Sequence, residues 1–167
     1  MRGCKQALGV AVVSAMFLPV SQAAAAGDHG EVAVEFTMNF TGATTIGSVT
    51  KITGAGVFSM SGSVVDAGTV SVELLVNPTG PGERDEAVEE GVQTFTTPAG
   101  SFEGHFQGRV SDAATPFPTG VGRVQVRGVS GAYRNVSGSG TFDVSVDFTV
   151  PPGGAVSGTY DTRFDIH

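Results

Sequence analysis

Apolar and polar residues alternate along this chain in one segment after another, and no segment carries the period of a helix. In residues 31–40, Val32, Val34, Phe36, Met38 and Phe40 fall on one side and Glu31, Glu35, Thr37 and Asn39 on the other. The same period of two runs through residues 57–65, 69–77, 100–110, 121–129, 141–150 and 156–166, and residues 92–97 are a short strand candidate. Residues 42–54, rich in Thr, Ser and Gly, read as a turn or a short strand. Strict alternation makes each segment a half-buried strand, because successive side chains of a strand point to opposite faces. Composition agrees: Val, Thr, Ser and Phe dominate, 25 residues are Gly, and Trp is absent.

About eight such strands leave two architectures, a sandwich or a closed antiparallel barrel. The first and last segments are both long and alternating, so they can pair and remove the open edges. The expectation is therefore a single all-β domain over residues 27–167, one closed antiparallel barrel of about eight strands. Its interior is filled by side chains or is just wide enough for one small ligand. Residues 127–142 form its clearest unit: a strand, a tight Gly-rich turn and a strand. Gly104 and Gly108 fall on the same face as Phe102 and Phe106, where they thin the wall.

Two segments stand outside the alternation. Residues 1–26 combine Arg2 and Lys5, an apolar run over 7–20 and a small-residue stretch ending at Ala26, the pattern of a cleaved signal peptide. The chain is accordingly read as secreted or periplasmic. Cleavage removes the sole cysteine, Cys4, so packing alone must hold the domain. It also removes two cations, which takes the formal charge from −7 to −9 and argues against nucleic acid or anionic lipid as a partner. Residues 78–91 hold Pro, Gly and a cluster of acids without apolar period, and are read as an exposed acidic loop. They match no calcium-loop spacing.

The segment Gly131-Ala132-Tyr133-Arg134-Asn135-Val136-Ser137-Gly138-Ser139-Gly140-Thr141-Phe142 resembles the Gly-x-Tyr/Phe and Gly-x-Gly segment of allene oxide cyclase-like and dirigent-like barrels. The strand layout over residues 100–166 is similar as well, and small secreted bacterial relatives carry such segments. The resemblance implies an eight-stranded barrel, often homo-oligomeric, with an apolar cavity that steers cyclisation or coupling of a reactive hydrophobic intermediate without a cofactor. Allene oxide cyclases use a cysteine near the cavity, which a chain cleaved after Ala26 lacks, so no catalytic residue is carried over.

Candidate site residues follow from the inward faces. Phe36, Met38, Phe58, Met60, Phe106 and Phe148 would line the interior together with Tyr160. The Tyr160 hydroxyl would point inward and need a partner, a backbone group in an ordinary core or a ligand in a cavity. His105 lies two residues from Glu103 on a polar face, a spacing at which imidazole and carboxylate can pair. Barrel closure could bring His29 near His167, though frayed termini account for both, and no metal is expected. No nucleophile elbow, phosphate loop or dinucleotide fingerprint occurs. Asn39-Phe40-Thr41 and Asn135-Val136-Ser137 are glycosylation sequons.

Three functional readings compete. The first is a barrel that binds, or isomerises or cyclises, an apolar small molecule. The second is a non-enzymatic structural or interaction protein with a filled barrel and the loop at 83–90 as contact surface. The third is an outer-membrane barrel, disfavoured by the absence of Trp and the paucity of Tyr for interfacial girdles, so stable membrane insertion is not expected.

Overall fold

The computed structural model describes residues 29–78, 86–151 and 153–166. Residues 1–26, the segment 79–85 and His167 lie outside the described residues. Eight strands follow one another: β1 (His29–Ile46), β2 (Val49–Gly62), β3 (Asp66–Pro78), β4 (Glu86–Thr97), β5 (Gly100–Ser111), β6 (Thr119–Gly131), β7 (Val136–Asp147) and β8 (Ala155–Ile166). Each pairs antiparallel with its neighbours, and β8 pairs with β1, so the sheet closes into one barrel. The register sets Val34 opposite Met60 on one side and Tyr160 on the other. Among the described residues there is no helix.

The apolar side of every strand faces inward. Val32, Val34, Phe36 and Met38 of β1 are buried, as are Val70, Val72 and Leu74 of β3, Val124 and Val126 of β6, and Val156, Tyr160 and Phe164 of β8. The intervening residues, among them Glu35, Thr37, Asn39, Asp161 and Arg163, are exposed on the outer wall. The chain thus places apolar residues inside and polar residues outside, the reverse of the arrangement in an outer-membrane barrel.

Turn chemistry joins the strands. Gly47, at φ 64°, opens the two-residue β1–β2 connection, where a positive φ matches the twist of the flanking strands. Residues 42–46 and 49–54, expected as a turn or short strand, instead extend β1 and β2. The Gly-rich unit at 127–142 is the β6–β7 hairpin, as its pattern indicates. Its turn residue Tyr133 folds over one end of the barrel, where its ring meets Phe102 at a centroid distance of 5.2 Å. The Tyr133 hydroxyl donates to Asp66 Oδ2 at 2.6 Å and so fastens this turn to the start of β3. Removing that bond in Tyr133→Phe is expected to lower stability by about 1–2 kcal/mol, read as a fall in the urea midpoint. An unchanged midpoint would show that the bond adds nothing.

Two expectations are corrected. Residues 86–91 are not loop: they form the first half of β4, paired with β3 and β5, and only 79–85 fall between the two strands. Phe148 is not interior. Alternation continues in the sequence to Val150, but β7 stops at Asp147, whose carboxylate accepts from the Thr149 backbone N–H at 2.8 Å. That local hydrogen bond turns the chain. Phe148 is left 47% exposed, with its ring against Phe40 at the barrel's outer rim.

Candidate functional site

The interior divides into two regions. Towards the end closed by Tyr133, aromatic rings fill the lumen. Phe95 stacks on Phe102 at 4.7 Å, and Phe58 and Phe164 meet Phe102 edge-on at 6.0 and 5.7 Å. Inward glycines provide the room. A Cβ on Gly104 would sit 2.9 Å from the Tyr160 ring, and one on Gly108 2.5 Å from Phe142. These are the two glycines expected to thin the wall.

Towards the opposite end the filling is incomplete. A cavity of about 40 Å³ lies between Phe36, Met38 and Phe40 of β1, Val72 and Leu74 of β3, Glu89 and Gln93 of β4, Phe106 of β5, Phe142, Val144 and Val146 of β7, and Val156 of β8. Space of this size accommodates water or the tip of a slim molecule, well short of the roughly 300 Å³ of a typical drug-sized site.

Glu89 and Gln93 are the polar groups of this lining. They point inward because β4 alternates as Ala87, Glu89, Gly91, Gln93, Phe95 and Thr97, with the polar members in register with buried Phe95. The Tyr160 hydroxyl donates to Gln93 Oε1. Its partner is therefore a side chain and not the backbone group of an ordinary core. Gln93 Nε2 in turn reaches the Met38 sulfur at 3.6 Å. Burial, and secondarily the Glu89 charge, push the Tyr160 hydroxyl well above its ordinary value.

Glu89 differs. It is 6% exposed, and its Oε1 is buried with no hydrogen-bond partner among the described residues. Burial pushes its carboxyl from 4.5 to about 7. Gly120 of β6 makes room for it: a Cβ there would lie 2.4 Å from Oε1. A carboxyl in this state can donate or accept one hydrogen bond, and can give or take a proton near neutral pH.

Of the residues expected in the interior, Phe36, Met38 and Phe106 line the cavity, Tyr160 is held beside it through Gln93, and Phe58 and Met60 are buried in the barrel away from its lining. Phe148 lies outside. His105 and Glu103 do pair, at 3.1 Å, but on the outward face of β5. The β8–β1 register sets His29 opposite Asp165. Glu89 escapes a reading of the sequence because the acids around it suggest a solvated loop, and Gln93 because a polar residue in the short strand at 92–97 reads as outward-facing. The signal available was their even spacing from Phe95. No family model, curated protein or solved structure matches this chain.

Proposed function

We propose that this chain is an exported barrel that binds a small, largely apolar molecule in the cavity beside Glu89. One observation carries the reading: an aromatic and aliphatic cavity containing a buried carboxyl with an unpartnered oxygen. Binding sites are apolar walls with a few placed polar groups, and an unpaired buried polar atom is otherwise a net destabilisation. The resemblance of residues 131–142 to allene oxide cyclase-like and dirigent-like barrels points the same way, as does the signal-like composition of residues 1–26. The cavity's size requires the occupant to enter end-first, with its narrow tip beside Glu89. Isomerisation or cyclisation of the occupant would use the same carboxyl as proton donor or acceptor.

A second reading, a filled barrel with a structural role, is favoured by the dense aromatic packing around Phe102. Native mass spectrometry of protein isolated without detergent from cells that express it naturally separates the two. The expected result is a species with additional small-molecule mass, lost in Val146→Trp, where the indole would fill the cavity. Bare polypeptide mass in wild type, with full stability retained, would favour the filled barrel.

A further inference from the structure

We propose that the occupant presents a neutral hydrogen-bond acceptor, a carbonyl oxygen, to the Glu89 carboxyl, whose O–H donates a hydrogen bond to it. This rests on the ligand-binding reading above and adds the chemistry of the recognised group.

The surroundings of Glu89 decide between an acceptor and a cation. Leu74 of β3, Phe106 of β5, Gly120 of β6 and Val144 of β7 bring no charge to it, and Met38 brings none from β1. The titratable group facing it is the Tyr160 hydroxyl of β8, which stays protonated and is already spent on Gln93. Among the described residues Glu89 therefore has no cation to hold it ionised, and its neutral form carries an O–H that needs an acceptor. A carbonyl offers only acceptor sites and is satisfied by that one donor. An ammonium group would bring three N–H donors into a cavity whose other polar group, Gln93, already accepts from Tyr160 and whose remaining lining is apolar, leaving donors unmet. The missing side chain at Gly120 leaves space at the carboxyl for the bond to form.

The test uses the full chain carrying isotope-labelled methyl groups, with pentan-2-one, pentylammonium and pentane as probes, read by shifts of the Val144, Val146 and Met38 resonances. Pentan-2-one is expected to bind about tenfold more tightly than pentane at about pH 5.5, and to lose that advantage at about pH 8.5, where Glu89 is ionised. In Glu89→Gln the amide N–H replaces the acid proton, so the ketone preference persists and becomes independent of pH. In Glu89→Leu the preference disappears while pentane still binds.

Tighter binding of pentylammonium, increasing with pH, overturns the inference, as does a wild-type ketone preference that does not change with pH. Equal binding of ketone and pentane also overturns it but leaves the ligand-binding reading standing. If no probe shifts the interior methyls, both are overturned.

Discussion

Glu89→Gln is expected to make the barrel more stable than wild type by roughly 3 kcal/mol above pH 7, and to leave stability nearly unchanged at about pH 4. The carboxyl titrates at its ordinary 4.5 in the unfolded chain and at about 7 in the folded one. The folded state thus holds the proton more tightly, so its advantage is complete below the unfolded value and is lost as pH rises towards the folded value. Above about 7 both states are ionised, and the native barrel carries the full penalty of a buried, uncompensated charge. Glutamine has the same shape and never ionises, so the difference between the two proteins isolates this single group from the other carboxylates. Urea unfolding of both, at intervals from about pH 4 to 8, should show the stabilities diverging as pH rises, and thermal unfolding should show a gap in melting temperature of roughly 10 °C at the upper end. A difference that stays constant across that range would show that Glu89 is solvated and is not a buried recognition group.

The same group shows where the sequence stops being legible. Period-two alternation identified the strands, and the pairing of the long first and last strands closed them into a barrel. The Gly-rich hairpin at 127–142 was equally plain, because Gly131 and the alternating flanks admit little else. Alternation marks a strand face by its apolar members, however, so it fails where the inward residue is polar. Glu89 and Gln93 are such residues, and the first half of β4, Glu89 included, was lost to a loop reading. Phe148 is the converse error. Its sequence continues the alternation of β7, but an Asp147 side chain bonding to the backbone two residues on ends the strand first. Local hydrogen bonding overrode periodicity there, whereas a buried carboxyl interrupted it in β4. Rules broken by a buried polar group are often broken for function, which is why the interruption at Glu89 carries the functional argument.

Phe102→Ala is expected to destabilise the barrel by about 4 kcal/mol, the largest effect of any change discussed. Phe102 is fully buried, and its ring contacts Phe58, Phe95, Tyr133 and Phe164 at once. Truncation removes the apolar burial, the aromatic pairs and the support beneath the Tyr133 turn, and closed strands cannot move together to refill the space. Phe148→Ala is the control. Its ring is half exposed at the rim, so the loss should stay within about 0.5–1 kcal/mol. The contrast between two phenylalanines that look alike in the sequence, measured by urea unfolding at about pH 5 where Glu89 is neutral, tests the assignment of inner and outer faces directly. Near-equal losses would mean that the aromatic layer is not packed as described. Because Phe102 lies outside the cavity lining, Phe102→Ala should also keep the ketone preference as long as it remains folded, which separates the residues that hold the barrel together from the carboxyl that gives it a use.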